Sequence, residues 1–187
     1  MLATVVAGTL IAGCAPASPS TPAPAPSFRC TPEAGGAEFD CTGLQHDEMV
    51  AKDELYTEAE AVYRKYLAED TRIMKAGGIT EPSAVLLETT SGEFLDDVME
   101  NYRRLAENKV RARGEGPTLV SFTRAPGRLK TGSIVSVTTC VDAGRLEFIQ
   151  GGKSLGHGLV ALDENYFGRI GDVLKLVGAD GKQVEKC

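Results

Sequence analysis

The sequence lacks tryptophan, contains two histidines among 187 residues, and has no cluster of lysine and arginine. Its net charge is -6 and its pI is close to 5.0. Binding to a phosphate backbone needs clustered basic side chains. The nearest approach to such a cluster, between residues 103 and 113, lies among Glu100, Glu107 and Glu115, which is typical of a solvated helix face. We therefore expect no nucleic-acid partner.

Sequence motifs for metal binding and for common catalytic sites are also missing. There is no C-x-x-C pair, no G-x-S-x-G and no G-x-x-x-x-G-K-[ST]. Structural metal sites usually take their ligands from local pairs, whereas His46 and His157 each stand alone. The stretch QGGKS, residues 150–154, predicts a hairpin turn rather than a phosphate loop. We expect no metal, no cofactor and no catalytic residue that can be named from a motif.

The beginning of the chain has the pattern of an export signal. Residues 1–13 are uncharged and apolar or small, and they are too few to cross a bilayer as a helix. The four residues LIAG before Cys14 resemble the bacterial lipobox, which implies that the Cys14 thiol carries a diacylglyceryl group and that cleavage occurs just before it. Because no basic residue precedes the apolar stretch, we expect the natural start to lie upstream of Met1.

A proline-rich stretch follows Cys14. Residues 15–27 hold five prolines among alanine, serine and threonine, a composition that favours extended, polyproline-like chain without a packed core. At about 3.1 Å per residue such a tether would hold a domain about 40 Å from a membrane. The sequence thus predicts a protein on the extracellular face of the cell membrane, bound to it by a lipid anchor.

The remaining four cysteines are an even number, which in an oxidising compartment indicates disulfides. Three pairings are possible. Cys30 and Cys41 enclose ten residues with a proline and paired glycines, so we pair these two with each other. Cys140 and Cys187 are then left to form the second bridge.

Apolar periodicity predicts three helices. Apolar residues at spacings of three and four, from Leu55 to Ile73, predict a long amphipathic helix that starts at Asp47 and ends at Gly77. Pro82 opens a short second helix, and Thr90 with Glu93 has the pattern of a capping box for a third helix ending near residue 108.

After this point the apolar period changes to alternation, which predicts a run of strands joined by hairpins. One turn is expected at Asp180-Gly181. Helices followed by hairpin-linked strands indicate an α+β fold with the helices on one face of a curved antiparallel sheet. We divide the chain into a signal, a tether, a disulfide loop and the α+β domain: residues 1–13, 14–29, 30–45 and 46–187.

The order of elements over residues 47–187 resembles the nuclear transport factor 2-like, or ketosteroid-isomerase-like, superfamily, also described as a cystatin-like cone. The strings GITEPSAVLL, GSIVSVTTCVD and DGKQVEKC are similar to small secreted lipoproteins of actinomycetes built on this fold, although Gln183 stands where a tryptophan is found in that group. The resemblance implies helices in the concavity of a strongly curved sheet that often encloses a pocket.

Four residues are candidates for the wall of such a pocket. Tyr56, Tyr63 and Tyr66 project from the apolar arc of the first helix, although tyrosines on such an arc are usually core residues. Asp142 is the one acid in an otherwise apolar, threonine-rich strand, although it most simply caps the following turn.

Two functions remain open. The favoured one is a non-catalytic module that binds a small apolar ligand or a protein partner of the envelope. The other is a cone-fold isomerase or hydratase, which would need a buried acid with a strongly raised pKa.

Overall fold

The computed structural model describes residues 27–187. The predicted signal, Cys14 and most of the predicted tether lie outside these residues. Three helices are found in the described part of the chain: α1 Gly43–Ala76, α2 Ala84–Thr89 and α3 Gly92–Glu107. The strands are β1 Phe28–Cys30, β2 Phe39–Cys41, β3 Val110–Gly114, β4 Thr118–Arg124, β5 Val135–Asp142, β6 Leu146–Gln150, β7 Lys153–His157, β8 Val160–Ile170 and β9 Val173–Val184.

The strands form antiparallel sheets, so the predicted α+β class is confirmed. One sheet has the order β4-β5-β8-β9, a second has the order β3-β6-β7, and β1 and β2 form a separate hairpin. The chain passes between the two larger sheets at residues 143–145 and 158–159. There the Gly158 amide donates to the Leu146 carbonyl at 2.7 Å and the Ala143 amide donates to the Leu159 carbonyl at 3.1 Å. These bonds connect the two sheets at one corner.

Helix α1 begins four residues earlier than Asp47, where we expected it to start. Thr42 is its N-cap and forms a capping box with Gln45, so that each side chain satisfies the other residue's amide. The helix ends as predicted at Gly77, whose φ of 93° is a conformation that glycine adopts without strain. Its apolar arc packs on the four-stranded sheet, where Tyr63 and Ala59 meet a buried group that includes Phe167.

Helix α3 has a different N-cap from the one we predicted. Ser91 occupies this position without a side-chain capping bond, and the capping box of Thr90 and Glu93 is absent. The Thr90 hydroxyl instead donates to the Leu86 carbonyl at 2.7 Å and is buried at the end of α2. The prediction was wrong because a threonine hydroxyl can donate to a preceding turn as readily as it accepts from a following one.

The strand predictions contain two further differences. Strand β3 was not foreseen, because its sequence VRARG is short and alternates small or apolar residues with arginine. The predicted turn at Asp180-Gly181 is wrong, because these residues lie inside β9, opposite Glu164 and Asp163 of β8. The β8–β9 turn lies instead at Gly171, whose φ is 60°. The hairpin turn predicted within QGGKS is confirmed between β6 and β7.

Both predicted disulfides are present. Cys30 and Cys41, with a Cα separation of 5.9 Å, close the β1–β2 hairpin. Cys140 and Cys187, with a Cα separation of 5.7 Å, attach residue 187 to the middle of β5. Strand β1 begins inside the range assigned to the tether, and α1 begins inside the range assigned to the disulfide loop.

Candidate functional site

Two adjoining cavities lie between the helices and the sheets. The α3 cavity has a volume of about 650 Å³, and the β8 cavity has a volume of about 570 Å³. Both are walled in part by Tyr66, Asp70, Met74 and Phe148. Their other walls are mainly apolar. The α3 cavity adds the apolar or aromatic side chains of Val98, Tyr102, Leu105, Val110 and Leu155 and the polar side chains of Asn101, Arg104, Asn108 and Gln150. The β8 cavity adds Tyr63, Leu67, Phe94, Leu146, Ala161, Asp163 and Asn165 among its lining residues.

Asp70 lies in the wall that the two cavities share. It is on the same arc of α1 as Tyr63 and Tyr66, and its Oδ1 accepts a hydrogen bond from the Tyr102 hydroxyl at 2.7 Å. Burial disfavours the ionised form and raises the pKa of Asp70 to about 6, although the Tyr102 bond opposes this effect. The carboxyl group therefore changes its charge near physiological pH.

The two tyrosines beside Asp70 are held in their neutral forms. The pKa of Tyr102 is raised by burial first, and then by the neighbouring Tyr66 and Asp70. Burial also raises the pKa of Tyr66, and the charge of Asp70 adds to this effect. Each hydroxyl group can therefore both donate and accept a hydrogen bond at the cavity wall.

Tyr63 and Asn165, which line the β8 cavity, are linked by hydrogen bonds through Thr139. The Asn165 amide donates to Thr139 Oγ1 at 2.9 Å, and the Thr139 hydroxyl donates to the Tyr63 hydroxyl oxygen at 3.1 Å. Thr139 and Asn165 are buried, and burial raises the pKa of Tyr63 to about 12. This chain of bonds fixes the orientation of the Tyr63 ring against β5 and β8.

Asp163 adds a second carboxyl group to the β8 cavity. It lies on β8 between Ala161 and Asn165, which line the same cavity, and burial raises its pKa. Its partner in register on β9 is Gly181. A Cβ at position 181 would lie 2.3 Å from Asp163 Oδ1, so the glycine leaves room for the carboxyl group.

The four pocket candidates from the sequence separate into two pairs. Tyr63 and Tyr66 line the cavities, whereas Tyr56 and Asp142 line neither. The Tyr56 hydroxyl donates to Glu33 at 2.8 Å, and Arg124 lies over the ring at 4.7 Å, so this tyrosine joins the disulfide hairpin to α1 and β4.

Asp142 is exposed at the end of β5. Its Oδ1 accepts a hydrogen bond from the Gly144 amide at 2.8 Å, and the residue therefore stabilises a turn. His157 is exposed at the rim of the β8 cavity.

Sequence reasoning missed Asp70, Tyr102, Asp163 and Asn165. One signal was present for Asp70, because it follows Tyr63 and Tyr66 at helical spacing and is an acid on an otherwise apolar arc. The register of β8 was needed to place Asp163 and Asn165, and that register depends on the turn at Gly171.

The described residues have neither a metal-binding cluster nor a membrane-spanning helix. Among residues 27–187, no three or more His, Cys, Asp or Glu side chains are grouped to hold a metal ion. No helix in this part of the chain combines the length and apolar character needed to span a membrane.

Comparison with known proteins adds little. No protein-family model and no curated protein matches the sequence. One solved structure is similar, the solution NMR structure of a de novo designed β-sheet protein, with 20% sequence identity and a TM-score of 0.36. The match covers 70% of this chain and 90% of the designed protein.

Proposed function

We propose that the protein is a lipid-anchored, extracytoplasmic binding protein that takes a small, largely apolar ligand into the α3 and β8 cavities. The observation that carries this proposal is the pair of adjoining cavities with apolar walls and a few converging polar groups, which is the usual composition of a small-molecule site. The combined volume of the cavities suits a ligand of ordinary metabolite or lipid size.

The location rests on sequence and on the disulfides. The lipobox-like stretch before Cys14 and the proline-rich tether belong to an exported, membrane-anchored protein. The two disulfides agree with an oxidising compartment. We also retain the nuclear transport factor 2-like fold as a proposal, supported by the three helices packed against antiparallel strands.

A neutral apolar dye tests the binding site. Nile red should bind saturably with one site per chain, and Ala161→Phe, which places a ring in the β8 cavity, should weaken binding at least about tenfold. Ala68→Phe is the matched control because Ala68 is exposed on α1. Unsaturable binding, or equal affinity in both variants and the original protein, would contradict the proposed site and favour a protein partner at the surface.

The second candidate is an isomerase or hydratase. The observation that favours it is the meeting of Asp70, Tyr66 and Tyr102 at one wall, with Asp163 lining the same β8 cavity as Asp70. In such an enzyme the tyrosine hydroxyl groups at this wall would polarise a carbonyl oxygen of the substrate. The Asp163 carboxylate would move a proton between two carbon atoms.

Turnover of a β,γ-unsaturated cyclic ketone distinguishes the two candidates. Asp163→Asn should abolish isomerisation and leave Nile red binding intact if the protein is this enzyme. Absence of turnover in the unmodified protein, together with Nile red binding, favours the binding protein.

A further inference from the structure

We propose that the ligand is an organic cation, an apolar molecule carrying a protonated amine whose ammonium group pairs with the carboxylates of Asp163 and Asp70. This inference rests on the proposed function, because it assigns the ligand class of the same cavities. Three features of the structure support it: the unpaired carboxylates, the aromatic wall and the position of the basic side chains.

The two cavity carboxylates lack the partners that other partly buried carboxylates have. Within residues 27–187, the other partly buried acids all form ion pairs with lysine or arginine: Glu33, Glu58, Glu60, Glu69, Glu147 and Glu164. Asp70 and Asp163 form none with the described residues, and residues 1–26 contain no Lys, Arg or His.

An unpaired carboxylate in an apolar cavity is costly, and a cation is the partner that offsets this cost most directly. Burial is the main cause of the raised pKa of both carboxyl groups. A bound ammonium group would supply the missing positive charge.

Aromatic rings line the same cavities as the two carboxylates. Tyr66 packs edge to face with Phe94 at 5.3 Å between ring centroids and lies 6.2 Å from the ring of Tyr63. Phe148 completes the wall that the two cavities share. Aromatic faces attract cations through their quadrupoles, and rings combined with carboxylates are well suited to an alkylammonium group.

Basic side chains at the cavities lie at their edges. Arg104 lines the α3 cavity, but it is exposed and its guanidinium donates to Asn101 and faces Glu100 at 3.9 Å. His157 is exposed at the rim of the β8 cavity. The interior is therefore acidic, and the net charge of -6 favours the approach of cations over anions.

Three ligands of equal chain length test the inference: octylamine, octan-1-ol and octanoate, titrated by calorimetry into the full-length protein at neutral pH and physiological salt. Octylamine should bind with one site per chain and at least about tenfold more tightly than octan-1-ol, as expected for a charge-assisted contact. Octanoate should bind most weakly, because its carboxylate meets two others.

Isosteric variants locate the contact. Asp163→Asn and Asp70→Asn should each weaken octylamine binding about tenfold, whereas neither should weaken the binding of the neutral octan-1-ol. Asp142→Asn is the matched control, because it removes the same charge from an exposed turn. A far-ultraviolet circular dichroism spectrum that matches the original protein shows that each variant is folded.

The outcomes separate this inference from the proposed function. If octan-1-ol binds as tightly as octylamine, or if neither cavity variant alters octylamine binding, the ligand is not recognised as a cation, while the apolar site stands. If none of the three ligands and no Nile red binds, both the inference and the proposed function are wrong.

Discussion

Replacing Asp70 with asparagine is expected to stabilise the folded protein near neutral pH and to lose this effect in acid. The carboxyl group of Asp70 has a pKa of about 6 in the folded protein, compared with 3.8 for an ordinary aspartate. Between these values the folded state holds more protons than the unfolded state, so the free energy of unfolding falls as the pH rises. Below both pKa values the carboxyl group is neutral in the folded and the unfolded state, so it does not change the free energy of unfolding.

The magnitude follows from the difference between the two pKa values. The difference between a pKa of 3.8 and one of about 6 corresponds to about 3 kcal/mol of stability, which the original protein loses once the pH exceeds the folded pKa. Asparagine keeps an oxygen that can accept the Tyr102 hydrogen bond, and it has no charge to bury. Its advantage over aspartate should therefore grow by about 3 kcal/mol between pH ~3.5 and ~7.5.

Urea unfolding followed by circular dichroism, with both disulfides intact, measures this difference at each pH. Comparison of the variant with the original protein cancels the titration of groups that both share, and Asp142→Asn controls for loss of a surface charge. A stability difference that stays constant across this pH range would refute the claim that Asp70 is partly buried without a cationic partner.

Three further predictions concern the framework around the cavities. Alkylation without reductant should label none of the four disulfide cysteines, and ready labelling would contradict the pairing. The double substitution Cys140→Ser, Cys187→Ser should lower the free energy of unfolding in urea by about 4 kcal/mol. Gly78→Ala should cost more than about 3 kcal/mol because its Cβ would lie 2.1 Å from the Tyr102 carbonyl oxygen. Gly35→Ala, at a similar φ but with open space, should cost only about 1 to 2 kcal/mol, and equal costs would contradict the close contact. Tyr56→Phe should cost about 1 kcal/mol through loss of its hydrogen bond to Glu33 and leave Nile red binding unchanged; altered dye affinity would show that Tyr56 contributes to the site.

The helices were predictable from the sequence because their apolar spacing is a local property. The arc that includes Tyr63 and Ile73 identified α1, and Gly77 identified its end. The caps were less predictable, since the partner of a polar side chain depends on the neighbouring element. Thr90 illustrates this, because its hydroxyl donates to the turn before it.

The sheet and the site depend on long-range register, which local patterns do not determine. Asp180-Gly181 has the sequence of a tight turn, but β8 and β9 continue past it because Gly181 accommodates the carboxyl group of Asp163. Asp70, Tyr102 and Asp163 come from α1, α3 and β8, and their meeting at the cavities follows from the packing of these three elements. Only Asp70 could have been singled out, as an acid on an apolar arc.

Native mass spectrometry, followed by denaturing mass spectrometry, of the protein extracted from the membranes of its own host examines the lipid anchor, the disulfides and the bound ligand in one experiment. We expect a chain that begins at an acylated Cys14 and is four hydrogens lighter than the reduced form. We also expect one small basic molecule to be present in the native spectrum and released on denaturation. An unlipidated chain that retains Met1, with no bound molecule in the native spectrum, would contradict both the anchored location and the binding function.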